Sequence, residues 1–199
     1  MNKKKFKFER PDSIRRKKQK RAILSAFFFL FLGGLLVVFL TMIRPHQIEG
    51  VSMEPTLQDG DRLFIKKTQQ PKRYELITFS PKENQRESYV KRVVGLPGDR
   101  ICTEGNALYI NHQLRDGQGL SSDTYAKDLP DGTLKVTITR EVWEALENLE
   151  EIPADMYFVL GDNRNNSTDS RHMGFIQKQQ IEGIVLVRYY PFGSVGIIN

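Results

Sequence analysis

The hydrophobic pattern divides the chain into two unlike parts. The first is an unbroken apolar run over residues 22–43, which contains no charged residue. At about 1.5 Å per residue, a helix of this length is roughly 33 Å long, which matches the hydrocarbon core of a bilayer. A cleavable signal peptide is the alternative, but the run exceeds the usual apolar region of such peptides, and no small-x-small cleavage site follows it. We therefore predict a transmembrane helix over residues 22–43.

After residue 43 the pattern changes to short runs that are rich in β-branched and aromatic residues and are separated by turn signals. A short helix is expected from the capping residue Thr139 to Leu149, and the polar residues 115–133 are expected to form a loop. This outer part is thus predicted to be mainly β. The predicted strands are residues 62–66, 75–80, 88–96, 100–103, 107–110, 134–138, 156–160 and 184–190.

The distribution of charge gives the predicted membrane helix an orientation. The formal net charge is +6, but residues 1–21 hold eleven Lys or Arg and two acids, so this tail carries +9 and the remainder about −3. Because the basic run ends directly against the apolar run, it does not predict nucleic-acid binding. Only Arg44 and His46 lie just behind the apolar run. The positive-inside rule therefore predicts a cytoplasmic tail at residues 1–21 and an extracytoplasmic domain at residues 44–199.

The sequence predicts neither a disulfide nor a metal site built on cysteines. Cys102 is the only cysteine, so no intrachain disulfide can form, and there is no cysteine pair or cluster of the kind that binds metal. We expect Cys102 to behave as a small, half-buried apolar residue.

Three segments carry a more specific signal. They are residues 50–57 (GVSMEPTL), 89–99 (YVKRVVGLPGD) and 161–174 (GDNRNNSTDSRHMG). Together and in this order they resemble the serine box, the lysine box and the C-terminal box of type I signal peptidases. The single N-terminal anchor and the short total length resemble the Gram-positive form. Each segment alone is a moderate signal, since a dense run of Asn, Asp and Ser is ordinarily only a turn.

The resemblance implies that Ser52 is the nucleophile and Lys91 the general base. A serine hydroxyl needs a base to take its proton, and none of the three histidines, His46, His112 and His172, is a convincing one. An ordinary lysine is protonated at pH 7, so Lys91 would need burial to lower its pKa. Its apolar strand permits this, although the strand alone is equally compatible with a lysine that points to solvent.

The third box is implied to support this pair. Ser167 matches the family serine that orients the lysine amine, and Asp169 and Arg171 match an ion pair that supports the site. The backbone N–H of Ser52 is the expected donor to the oxyanion. Some family members add a serine side chain two residues before the nucleophile, but this chain has Gly50 there, so its second oxyanion donor is unidentified.

The resemblance also implies a fold and a reaction. The fold is mainly β, with an antiparallel β catalytic core and a smaller inserted subdomain at residues 100–155. The reaction is endopeptidase cleavage of exported preproteins after small residues of the Ala-x-Ala type, through an acyl-enzyme and without a metal or organic cofactor. The implied partners are signal peptides, membrane lipid and, through a functional link, the secretion translocon. Arg92 and Asp162 are expected to be structural.

Three alternatives remain open at this point. The first is a catalytically silent relative that assists the assembly of pili or surface proteins, although such a protein would be expected to lack Ser52 or Lys91. The second is an enzyme specialised for pilus or similar precursors, which the three boxes do not distinguish from a general signal peptidase. The third is a membrane-anchored binding module without chemistry, which would make the Ser-Lys-Ser arrangement a coincidence.

Overall fold

The computed structural model describes residues 11–82, 87–111 and 133–198, and the chain divides into two compact units, Met1–Met42 and Ile43–Asn199. The described part of the first unit is the helix α1, Pro11–Met42. Large apolar side chains such as Phe27 and Phe31 are exposed on this helix. The helix predicted over residues 22–43 is observed up to residue 42 as part of a longer helix, which also includes residues 11–21 of the predicted tail, while Ile43 begins β1. Over the described residues, no helix is both long and apolar enough to cross a membrane, and the membrane span stays a prediction.

The second unit is mainly β, as the sequence predicted. Two short helices accompany its strands, α2 (Arg140–Leu146) and α3 (Ser170–Met173). The strands are β1 Ile43–Gln47, β2 Arg62–Lys66, β3 Leu76–Phe79, β4 Tyr89–Gly95, β5 Arg100–Glu104, β6 Ala107–Asn111, β7 Thr133–Thr137, β8 Met156–Leu160, β9 Ile176–Gln177, β10 Ile181–Tyr190 and β11 Gly196–Ile197.

Eight of these strands form one antiparallel sheet. Their order is β1-β2-β10-β3-β4-β8-β9, and β11 pairs with β10 outside this path. The strand β10 pairs with both β2 and β3 and has register shifts against each of them. The antiparallel core implied by the resemblance is thus observed. Because four antiparallel steps separate β1 from β4, these two strands run in the same direction across the sheet.

A second, three-stranded sheet has the order β5-β6-β7. These strands and α2 lie between β4 and β8 in the chain, within the predicted insertion, whose boundaries at 100 and 155 stay a prediction. Apolar side chains alternate along these strands, so that one face of the sheet packs against α2 and β8. The buried residues of this cluster include Ile101, Leu108, Ile110, Leu134, Val136, Val142, Leu146, Phe158 and Leu160.

Several details differ from the sequence prediction. The helix α2 has its predicted cap, since the Thr139 hydroxyl accepts from the Val142 N–H at 3.5 Å, but it ends at Leu146 rather than Leu149. Cys102 is exposed instead of half-buried, because it lies on the outer face of β5, opposite Ile101. The strands β1, β9 and β11 and the helix α3 were not predicted. His112 and most of the predicted loop at 115–133 lie outside the described residues.

Candidate active site

The segment that carries Ser52 is held in place by the core. Met53 and Leu57 are fully buried in one apolar cluster with Ile48 and Leu63, so the turn between them is anchored at both ends. The Leu57 N–H donates to the Met53 carbonyl at 2.9 Å. Met53 therefore packs in the core. Its neighbour Ser52 is partly exposed.

Lys91 meets Ser52 from the strand β4. Its Nζ donates to the Ser52 Oγ at 2.8 Å, although 39 residues separate the two in the chain. Lys91 pairs with Ile77 of β3, and its side chain is only 4% exposed. The Tyr89 ring, two residues earlier on the same face, has its centroid 5.4 Å from the Nζ. Lys91 is therefore buried and does not point to solvent, and its amine lies within hydrogen-bond distance of the Ser52 hydroxyl.

Burial changes the acidity of this lysine. Desolvation lowers the pKa of Lys91 to about 8, although the carboxylates of Asp169 and Asp162 act in the opposite direction. An ammonium loses its favourable hydration when it is buried, so the neutral amine becomes more accessible. At pH 7 roughly a tenth of a group with this pKa is neutral, compared with about 0.04% of an ordinary lysine. The amine of Lys91 is therefore able to accept a proton near neutral pH.

Asp169 organises the third box. Its buried carboxylate accepts from the Ser167 hydroxyl at 2.8 Å, from the Gly161 N–H at 2.9 Å and from the Arg171 Nε at 2.8 Å. Burial alone would raise the pKa of Asp169, but these hydrogen bonds and the charge of Arg171 lower it below its ordinary value. Asp169 also caps α3 by accepting from the Arg171 N–H. It is thus an ionised centre that holds both ends of this loop.

Ser167 lines the same cavity as the Ser52–Lys91 pair, but its hydroxyl donates a hydrogen bond to Asp169. Within the described residues, no hydrogen bond joins its hydroxyl to the amine of Lys91. The orienting role that the resemblance implies for Ser167 therefore stays a prediction.

A second buried ion pair joins the serine turn, the lysine strand and the third box. Arg92 binds Asp162 through two hydrogen bonds, from Nε at 2.9 Å and from Nη2 at 2.8 Å. The Thr56 hydroxyl donates to the same carboxylate at 2.6 Å, and Arg92 also donates to the Tyr74 carbonyl at 2.7 Å. The sequence identified Arg92 and Asp162 as structural but not as partners. The signal that could have linked them is an arginine in an otherwise apolar strand, which needs a buried counter-charge.

The third box also holds the serine turn through its backbone. The Asn163 N–H donates to the Ser52 carbonyl at 3.0 Å, and its side-chain amide donates to the Val51 carbonyl at 3.1 Å. Gly161 approaches so closely that an added Cβ would overlap the Ser167 hydroxyl and would lie 2.7 Å from the Ser52 carbonyl oxygen. Sequence reasoning did not find this contact, which fixes the distance between two of the three boxes.

Ser52 and Lys91 open into a cavity of about 730 Å³. Three segments line it, residues 46–53, 87–91 and 166–168. On one side, β4 pairs with β3 from Tyr89 onward, whereas β8 pairs with it only from Arg92. Within the described residues, no strand pairs with Val90 or Lys91 on the side of β8. This part of the cavity can therefore accept an extended peptide as an added strand.

Metal-binding residues do not converge at this site. In the described parts of the chain, no group of three or more His, Cys, Asp or Glu side chains is placed to hold a metal ion.

Several known proteins are similar to this chain. A family model described as signal peptidase, peptidase S26, matches residues 20–190. The chain is 42% identical to signal peptidase I of Bacillus caldolyticus over 151 residues, which covers 74% of this chain and 79% of that protein. It is 36% identical to signal peptidase IB of Staphylococcus aureus over 179 residues, which covers 87% and 88%. A crystal structure of a signal peptidase I from Enterococcus faecalis is 30% identical and covers 58% of this chain and 96% of that one, with a TM-score of 0.37.

Proposed function

Because the chain belongs to the signal peptidase family, peptidase S26, we propose that it removes signal peptides from exported preproteins with Ser52 as nucleophile and Lys91 as general base. The observation that carries this proposal is the 2.8 Å distance between the Lys91 Nζ and the Ser52 Oγ at the wall of an open cavity. A nucleophile and a base within hydrogen-bond distance are the minimum that acyl transfer to serine requires.

The reaction follows from the protonation state of Lys91. The neutral amine takes the proton of the Ser52 hydroxyl as its oxygen attacks the scissile carbonyl, and the resulting ammonium then protonates the departing amine. Lys91 is neutral again in the acyl-enzyme, where it takes a proton from water as the water attacks the ester, and it returns this proton to the Ser52 oxygen as the acyl group leaves. The backbone N–H of Ser52 is our proposed donor to the oxyanion.

The remaining site residues keep this geometry. We assign Asp169 and Arg171 to holding the loop that carries Ser167, since the Asp169 carboxylate binds Arg171 and also accepts from Gly161 and Ser167. The substrate would lie extended beside Val90 and Lys91 of β4, in the part of the strand that precedes its pairing with β8. Small residues of the Ala-x-Ala type before the cut are our proposed specificity, which the family implies. No step of this scheme uses a metal or an organic cofactor.

Membrane anchoring is part of the proposal and rests on the sequence. The uncharged run 22–43 and the basic residues before it support a single span with a cytoplasmic N-terminus. The site would then face exported chains outside the plasma membrane, close to lipid and to the secretion translocon.

The proposal is tested by cleavage of a purified preprotein with an Ala-x-Ala site, using the detergent-solubilised full chain beside its Ser52→Ala variant. We expect cleavage after that site by the parent and none by the variant. If neither protein cleaves although both are folded and lipid is present, general signal-peptide processing is refuted. A silent assembly factor or a specialised enzyme would then be the better account.

A further inference from the structure

The backbone on both sides of Ser52 is held by one residue of the third box. The Asn163 side-chain amide donates to the Val51 carbonyl at 3.1 Å, although 112 residues separate the two in the chain. The Asn163 backbone N–H donates to the Ser52 carbonyl at 3.0 Å. These two carbonyls belong to the two peptide groups that flank the Ser52 side chain, so Asn163 binds both of them.

The side-chain contact bears on the N–H of Ser52. The peptide bond between Val51 and Ser52 is trans, so its C=O and N–H point in opposite directions across one rigid plane. Because the Val51 carbonyl is directed at the Asn163 amide, the Ser52 N–H is directed away from that amide. Among the residues that the structure describes, this N–H has no hydrogen-bond partner, and Ser52 lines the cavity. The N–H is therefore available to a substrate atom.

The Val51 carbonyl accepts a second hydrogen bond from within its own turn, from the Glu54 N–H at 3.2 Å. Glu54 and Asn163 together satisfy both lone pairs of this oxygen. A hydrogen bond to the carbonyl also polarises its peptide group, which makes the N–H of the same group a stronger donor. Without the Asn163 amide the Glu54 contact would still close the turn, but the peptide plane would be less restrained and less polarised.

Asn163 itself stands on a fixed support. The preceding residue, Asp162, is bound by Arg92 through two buried hydrogen bonds, and the Asn163 carbonyl accepts from the Asn166 N–H at 3.0 Å. The Asn163 side chain is partly exposed and is not part of the core. Its amide is thus positioned before a substrate arrives, as preorganisation of an oxyanion donor requires.

From these contacts we propose that Asn163 is a positioning residue, whose side-chain amide orients the Val51–Ser52 peptide so that the Ser52 N–H can stabilise the oxyanion. The inference rests on the proposed peptidase function, in which this N–H is the oxyanion donor. Asn163 acts through the peptide plane and needs no contact with the substrate. Its contribution is greatest when negative charge develops on the substrate oxygen, and small in the initial substrate complex.

The test compares the full-length parent with Asn163→Ala and Asn163→Leu, which remove the amide with a smaller side chain and with one of similar size. On a preprotein with an Ala-x-Ala site we expect kcat to fall by about 5- to 30-fold, less than the loss of a whole oxyanion donor, while KM changes by less than about twofold. Asn165→Ala is the matched control and keeps the parental kcat, because this exposed side chain makes no hydrogen bond in the described part of the chain.

A pair of inhibitors separates positioning from folding. The Ser52 Oγ adds to the carbonyl carbon of a peptide aldehyde with an Ala-x-Ala sequence, and the former carbonyl oxygen then occupies the oxyanion position. The corresponding peptide alcohol binds the same cleft but cannot form this adduct. In both Asn163 variants we expect the Ki of the aldehyde to rise by about the factor by which kcat falls, and the Ki of the alcohol to stay unchanged.

The two possible failures are distinguishable. The positioning role is refuted, and the peptidase function stands, if both Asn163 variants keep the parental kcat and aldehyde Ki. The same holds if the Ki values of aldehyde and alcohol rise together, or if Asn165→Ala loses as much activity. If the parent neither cleaves the preprotein nor binds the aldehyde, the proposed function fails and the inference fails with it.

Discussion

The two faces of β4 each bury a cationic side chain, and they hold it in different ways. On one face Lys91, 4% exposed, has a neutral hydroxyl as its hydrogen-bond partner. On the other face Arg92, 3% exposed, makes two hydrogen bonds to the carboxylate of Asp162. Burial without a directly bound counter-charge lowers the pKa of Lys91 to about 8. The positive charge of the Arg92 guanidinium is instead balanced by the carboxylate bound to it.

This difference explains why the adjacent residues Lys91 and Arg92 have different roles in our account. A desolvated lysine loses its proton more readily, so a buried lysine without a directly bound carboxylate can act as a base. Arginine keeps its charge at any ordinary pH and forms a planar pair with a carboxylate, which makes it suited to fixing a geometry. In our proposal the face with Lys91 therefore supports chemistry, and the face with Arg92 holds the three boxes together.

The strongest test of this contrast replaces the base with a cation that cannot lose its proton. We expect Lys91→Arg to lower kcat/KM by about 10²–10⁴, the usual contribution of a general base, because no neutral amine is then available. The measurement is preprotein cleavage over a range of enzyme concentrations, with circular dichroism to show that the variant is folded. An active Lys91→Arg enzyme would contradict the base assignment.

Breaking the pair on the other face should act on stability. Asp162→Ala leaves Arg92 buried without its carboxylate, and we expect the free energy of unfolding to fall by about 3–5 kcal/mol. Denaturant unfolding in detergent measures this change. Glu144→Gln in the exposed Arg140–Glu144 pair is the control and should change the free energy by less than about 0.5 kcal/mol. Equal effects of the two substitutions would show that the buried Arg92–Asp162 pair does not hold the fold.

The close approach of the boxes is tested at Gly161. Alanine there needs space that the Ser167 hydroxyl and the Ser52 carbonyl occupy, so the serine turn must shift. We expect kcat to fall by about 10²-fold, because small displacements of reacting groups are expensive, while KM changes less. Steady-state kinetics of Gly161→Ala against Gly193→Ala, whose added Cβ would meet no atom within 4 Å, provides the comparison. A fully active Gly161→Ala enzyme would show that the contact does not position Ser52.

The smallest expected effect concerns Asp169. Its carboxylate raises the pKa of Lys91, opposing desolvation, so removal of its charge lowers that pKa further. The acid limb of the pH–rate profile of Asp169→Asn should therefore move to lower pH, even if the overall rate also falls. A move to higher pH would mean that Asp169 does not act on Lys91 in this way.

The sequence predicted many of the strands and the candidate site residues, but not the contacts between those residues. The strands at 62–66 and 156–160 were placed at their observed bounds, because alternating or continuous apolar residues and flanking turns specify a strand locally. The edge strand β1 was missed, since Pro45 and exposed side chains weaken its pattern, and only pairing with β2 reveals it.

Site geometry depended on long-range contacts that no local pattern encodes. Period-two alternation put Lys91 and Arg92 on opposite faces, but it does not tell which face another element covers. The Arg92–Asp162 pair joins residues 70 apart in the chain. Thus the three boxes identified the participants, and the tertiary structure was needed to show which of them touch.

The central claim is that Lys91 acts as a neutral base, and the pH dependence of kcat/KM tests it most directly. A lysine that must be deprotonated, with a pKa of about 8, predicts that kcat/KM rises about tenfold per pH unit below pH 8 and levels off above it. A profile governed by a group near pH 6.5, as for an ordinary histidine, or one that stays flat down to pH 6, would contradict the account.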